Sequence, residues 1–186
     1  MRYYLLRDVG YGENSTVDYD ALLGPYNVEF QILDNLTSRI LALVARHCNG
    51  KVPTPSIFGP ADPPIETAFA DARAEVRFLL DSFNFSEALK VIWSLIENVD
   101  ALLTENASGM SETEGLGPAF TDALHDACQG LVWIALLLHP ILPRMTQAIW
   151  KGVGRTTLLK NQLIDETPWS CLMPETNVGK LELHLP

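Results

Sequence analysis

Asn35 and Arg39 are the residues whose types and spacing first point to chemistry. Four positions apart in a helical stretch, they stand one above the other on a single face. An amide beside a guanidinium offers acceptors and a planar fork of donors, the complement of a nucleobase edge. The competing reading is a solvated polar patch. In that case Arg39 pairs with a carboxylate such as Asp34 or Glu105, and Asn35 bonds a neighbouring loop. Other chemistries find less support. Cys48, Cys128 and Cys171 are far apart, odd in number and form no CxxC, so neither a disulfide framework nor a zinc site is indicated. His125 and Cys128 can share a helical face, but one such pair falls short of a metal-ligand set. No Ser/His/Asp set, paired carboxylates or Gly-rich phosphate loop stands out.

The element that must position Asn35 and Arg39 spans residues 26–48. Phe30, Leu33, Leu36, Ile40, Leu43 and Val44 recur there at helical spacing, on a different face from the polar pair. Before it, RYYLLRDV at residues 2–9 reads as a strand or short helix, residues 10–18 as a loop and residues 18–23 as a short helix. Asn49-Gly50 ends the long helix, and Pro53, Pro55, Pro60, Pro63 and Pro64 make the following stretch an extended linker. A second long helix carries Phe69, Ala72, Val76, Leu79, Leu80 and Phe83. Asn84 caps the next, with Glu87 at the capping-box position and a stripe of Leu89, Ile92, Trp93, Ile96, Val99 and Leu103. Residues 106–117 read as a loop, and Pro118 suits the first position of a helix running to about Leu138. Its second half is apolar all round and belongs at the centre of the molecule. Pro140 and Pro143 break it and begin a fifth helix ending near Trp150. The remainder is irregular, with short extended pieces expected around residues 158–159 and 180–183, and Trp169 expected to pack back onto the helices. Trp93, Trp133 and Trp150 sit in apolar stripes and read as core. The pattern predicts an all-α, antiparallel bundle of about five helices with an irregular C-terminal tail.

Composition bounds the partner. The 186 residues suffice for one buried core, and 47% apolar with 19% charged residues is globular. Thirteen basic against 23 acidic residues leave a formal charge of −10, so any polyanion must meet a local patch. No Lys or Arg lies between Lys90 and Arg144, an interval holding Glu97, Asp100, Glu105, Glu112, Glu114, Asp122 and Asp126. Arg39, Arg46 and Lys51 form the small positive counterweight. The N-terminus lacks a basic and apolar signal pattern, and the most apolar run, residues 130–138, is too short to span a bilayer. A cytoplasmic chain without a membrane partner is expected, and its three Asn-X-Ser/Thr sequons are chance matches.

Several segments occur in a telling order. They are RYYLLR, Asn35-Leu-Thr-Ser-Arg39, Gly50-Lys51-Val52-Pro53, Phe85-Ser-Glu-Ala-Leu89, Leu138-His-Pro-Ile-Leu-Pro143 and Trp150, followed by Trp169 and Val178-Gly179-Lys180. The order and spacing resemble the C-terminal anticodon-binding helical domain of methionyl-tRNA synthetases along nearly the whole chain. The resemblance implies that Asn35 and Arg39 match the residues with which the family reads a CAU anticodon. It also implies that Gly109 stands where relatives carry a tryptophan on which an anticodon base stacks. Such a ring is worth about 1–3 kcal/mol per base.

The family's His-Ile-Gly-His-type and Lys-Met-Ser-Lys-Ser-type ATP motifs are absent from this chain. The resemblance therefore implies a non-catalytic chain with no cofactor of its own, ATP and methionine belonging to a separate or upstream catalytic half. Residues 1–25 would be the link from that half, residues 26–151 the bundle and residues 152–186 a tail packed on it. The implied partner is tRNA, specifically tRNA(Met). Gly109 and the acidic interval favour an alternative: a free-standing relative that keeps the fold, has lost CAU reading, and serves as an interaction module or binds another RNA.

Overall fold

The computed structural model describes residues 2–7, 25–56, 65–107, 110–111 and 115–179. The loop and helix expected over residues 10–23, and the extended piece over 180–183, lie outside them. The described residues form six α-helices in order: α1 (Arg2–Arg7), α2 (Pro25–His47), α3 (Ile65–Asp81), α4 (Phe85–Glu105), α5 (Pro118–Leu138) and α6 (Pro143–Gly152). The expected all-α bundle is what forms, with RYYLLR resolved as helix. One departure falls in the stretch read as a loop. There β1 (Met110–Ser111) pairs antiparallel with β2 (Gly115–Leu116), Met110 opposite Leu116.

α2 buries Leu33, Leu36, Ile40 and Val44 as its spacing requires, with Thr37 and Leu41 beside them. It closes as the Asn-Gly pair predicts. Asn49 and Gly50 take φ of 52° and 72°, and the Gly50 N–H donates to the Val44 carbonyl at 3.1 Å. α3 ends earlier than its apolar spacing implied. Phe83 lies beyond the helix at φ 57°, swung out to 55% exposure, and Leu80 is also exposed. The left-handed turn carries Phe83 off the stripe, while Leu80, still within the helix, lines an open cleft between α3 and two 3-10 helices that follow α6, so neither residue joins the core. Asn84 does cap α4, its side chain accepting from the Glu87 N–H at 3.5 Å. Only half the capping box forms, because Glu87 pairs with Lys90 and the Asn84 N–H donates to Leu79.

α5 is the central element, with every residue from Leu131 to Leu138 buried. Gly130 lets α3 and α4 approach it. A Cβ there would meet Val99 Cγ2 at 2.9 Å and Phe69 Cζ at 3.3 Å. Beyond α6, the short extended piece expected near Leu158–Leu159 is instead the start of a 3-10 helix (Leu159–Asn161), followed by a second (Ile164–Glu166). Leu159 and Leu172 are buried, and Trp169 lies 5.1 Å from Phe69 and 6.3 Å from Trp133, between ring centroids. Trp150 and Trp133 are buried as expected, and half-buried Trp93 donates to the Tyr3 hydroxyl.

Two buried polar residues fasten the outer segments. His125 Nδ1 donates to the Pro53 carbonyl at 2.8 Å, which leaves Nε2 to accept from Gln129 in the neutral ring. Gln129 donates to the Leu172 carbonyl at 2.6 Å and accepts from the Leu172 N–H at 3.1 Å. The chain after α2 and the tail also bond each other, Val52 N–H to Thr176 O at 2.8 Å and Glu175 N–H to Val52 O at 2.9 Å.

Candidate functional site

α2 presents two faces. At 100° per residue, Val28, Ile32, Asn35 and Arg39 fall within about 60° of one another, roughly 120° round from the buried stripe. All four are exposed, Ile32 at 47% and Val28 at 57%. Asn35 and Arg39 stand one turn apart, about 6 Å along the axis, with both polar heads in solvent. No described residue hydrogen-bonds the Asn35 side chain, so its donors and acceptor are open to a ligand.

Arg39 has a partner, though neither carboxylate considered from the sequence. Its Nη2 contacts Asp100 Oδ1 of α4 at 2.6 Å. Asp34 lies about 140° round α2 from Arg39, and Glu105 lies more than a turn beyond Asp100 along α4. The pair is about half exposed on each side, 43% and 52%, so it contributes about 0–1 kcal/mol to stability. Only one Nη atom is engaged, so the rest of the guanidinium fork remains available. The site is thus an open amide beside a guanidinium held at one corner. It can hydrogen-bond a planar polar edge, and it holds no group placed to move a proton or attack a carbon.

The surrounding charges are less uniform than the sequence implied. Lys51 pairs with Glu175 at 2.9 Å, whereas Arg46 is exposed and has no ion pair among the described residues. Of the acids between Lys90 and Arg144, Asp100 holds Arg39 and Asp122 accepts from the N–H and hydroxyl of Ser56. Burial pushes the Asp126 carboxyl up. Glu97 and Glu105 are exposed on α4, while Glu112 and Glu114 lie outside the described residues. Gly109 also lies outside them.

The N-terminal end of α2 is tied to α1. The Tyr3 hydroxyl donates to Glu29 while accepting from Trp93 of α4, and Arg7 pairs with Glu29 at 2.9 Å. Burial, then the Glu29 hydrogen bond, push the Tyr3 phenol far above its ordinary range, so it stays a donor. His125 and Cys128 do not converge as a ligand pair. The His125 ring is engaged by Pro53 and Gln129, and Cys128 is fully buried with its thiol pushed up by that burial. An apolar cleft of about 560 Å³ lies between α3, the end of α5 and the 3-10 helices, and no residue of α2 lines it. None of the described helices is long and apolar enough to cross a membrane.

Residues 62–183 match the family model of the anticodon-binding domain of tRNA ligase. The chain belongs to that family. α2 precedes the matched range, but alignments to whole ligases include it. The methionine–tRNA ligase of Fusobacterium nucleatum is 27% identical over 182 residues, covering 96% of this chain and 29% of its own length. That of Mycobacterium tuberculosis is 28% identical over 186 residues, covering 96% and 36%. The free-state crystal structure of M. tuberculosis methionyl-tRNA synthetase superposes with a TM-score of 0.79 at 24% identity, over 100% of this chain and 38% of that one. Its methionyl-adenylate-bound form gives 0.76 at 25% identity, over 96% and 35%. The chain spans about a third of the length of the relatives it matches. As a member of the anticodon-binding family, it has the helical fold that methionyl-tRNA synthetases carry over about a third of their length.

Two features of the site went unread in the sequence. Asp100 is a tertiary partner, and no spacing rule links it to Arg39. Val28 and Ile32 were within reach, since the arithmetic that aligns Asn35 with Arg39 also aligns these two.

Proposed function

We propose that the exposed face of α2 reads anticodon bases of a tRNA, the CAU of tRNA(Met), for a methionine–tRNA ligase. Asn35 and Arg39 hydrogen-bond base edges while the bundle orients the tRNA toward a catalytic region. The observation that carries the reading is the open Asn35 amide one turn from an Arg39 guanidinium held at a single corner. The chain does no chemistry itself. ATP and methionine are handled by a separate or upstream catalytic half, and the setting is cytoplasmic. Gly109, at the position of the relatives' stacking tryptophan, leaves hydrogen bonding at α2 to carry more of the recognition.

The test is binding of a CAU stem-loop at physiological salt, read by fluorescence anisotropy. Asn35→Ala and Arg39→Ala are each expected to weaken it on the order of ten-fold. Equal, weak binding by all three proteins removes the claim.

A second reading is favoured by the Arg39–Asp100 pair and by exposed Glu97 and Glu105 on the adjoining helix. A carboxylate on the reading guanidinium disfavours phosphate nearby. In this reading the chain is a free-standing relative that keeps the fold and takes a different RNA or a protein. Retention of stem-loop binding that ignores the CAU sequence would favour it.

A further inference from the structure

The reading face of α2 carries two side chains that hydrogen bonding does not explain. Val28 and Ile32 are exposed at 57% and 47% and lie in line with Asn35 and Arg39, at steps of four, three and four residues. A single exposed aliphatic residue is ordinary. Two β-branched residues one turn apart on a solvated helix face are less so. They lose side-chain freedom in a helix and are only about half covered in return. Of the other exposed positions on that side, Gln31, Ser38 and Arg46 are polar and Ala42 offers a single methyl, so the large aliphatic side chains exposed there are confined to the stretch N-terminal to Asn35.

A base held at its edge by an amide still exposes two apolar faces. In an RNA loop those faces unstack from their neighbours and need a surface to lie on. Helical side chains lean toward the N-terminus, so Asn35 covers the surface near Ile32 rather than the one beyond Arg39. A planar ring bonded to Asn35 would therefore meet the Ile32 methyl groups, with Val28 extending the same apolar strip.

We infer that Ile32, supported by Val28, is the packing platform for an anticodon base whose edge Asn35 reads. It gives this chain an aliphatic floor beside the hydrogen-bonding pair. The inference rests on the α2 reading proposed above. It assigns the strip to a nucleobase and not to a protein helix, because the strip is continuous with the polar pair and has the width of one side chain.

The test compares a CAU stem-loop with the same stem-loop made abasic in turn at each anticodon position. Each is titrated against the wild-type chain, Ile32→Ser, Val28→Ser and Asn35→Ala. Ile32→Ser is expected to weaken the intact loop roughly three- to ten-fold, less than an aromatic platform would. It should leave binding of one abasic loop unchanged, because the ring it supports is already gone. Val28→Ser should show the same pattern more weakly, and thermal unfolding of both variants should match wild type. If Asn35→Ala weakens binding while Ile32→Ser has no effect, or weakens intact and abasic loops equally, the platform is refuted and the α2 reading stands. If the intact loop binds no better than Asn35→Ala allows, the α2 reading itself falls.

Discussion

Both ends of the Gln129 side-chain amide are engaged by one residue, the backbone of Leu172, and Gln129 is fully buried. The pairing imitates a strand contact inside a helical core and holds the tail against α5. Replacing Gln129 with Leu keeps the volume but strips partners from a buried N–H and C=O. Each orphaned group costs about 1–3 kcal/mol, so Gln129→Leu should lower unfolding free energy by roughly 2–4 kcal/mol in urea titration. A loss below about 0.5 kcal/mol would mean that water or backbone movement replaces the contact. The sequence held a signal here. His125 and Gln129 are polar residues four apart on a helix otherwise apolar on its core side, and such residues need internal partners. The partners themselves, Pro53 and Leu172, were not legible, because 72 and 43 residues of chain separate them from the helix. Asn35 shows the complementary case. Its exposure followed from periodicity alone, whereas the Asp100 contact to Arg39 required α4 to be placed first.

At the scale of the elements, three helices meet over Gly130. Helix propensity alone favours alanine there by about 1 kcal/mol. The packing opposes it, since the added methyl would lie 2.9 Å from Val99 Cγ2 and 3.3 Å from Phe69 Cζ. Phe69 in turn carries Trp169, so displacing its ring would disturb the tail. Overpacking of a filled core costs about 1–3 kcal/mol. Gly130→Ala should therefore be net destabilising, by up to about 2 kcal/mol, with a blue- or red-shift of tryptophan emission as Trp169 moves. A more stable variant with unchanged emission would show that Val99 can rotate away freely. The helices were legible because each buries one stripe at a fixed period, and α2, α4 and α5 form where that period runs. The end of α3 was misjudged because Leu80 and Phe83 continue the stripe on paper. A left-handed residue costs a bulky side chain strain, and no count of apolar spacing anticipates Phe83 taking that conformation. The β1–β2 hairpin was missed for a related reason, since two-residue strands are too short to show alternation.

For the whole molecule, a charge of −10 means that carboxylates set the response to pH. Most of those among the described residues are exposed to water and act on the balance through general repulsion. Asp126 differs. Burial pushes its carboxyl above the ordinary 3.8, with neighbouring Asp122 and Glu66 adding to the rise. Between 3.8 and the raised folded value, the folded chain binds a proton that the unfolded chain has released. Stability from this group therefore falls as pH rises through that window. His139, lowered from 6.5 by burial, works the other way, with stability falling as pH drops below 6.5. Removing the carboxylate isolates the first effect. Asp126→Asn should melt higher than wild type at pH 7, by on the order of 1–2 °C, because the group is only half-buried and water screens it. The difference should vanish below the ordinary carboxylate range, where both chains are neutral at this position. A difference in melting temperature that stays constant from acid to neutral pH would assign the effect to the side chain's shape. It would leave the acidic α4–α5 interval without a stability cost at this position, and its remaining influence would be on what approaches the Asn35 and Arg39 face.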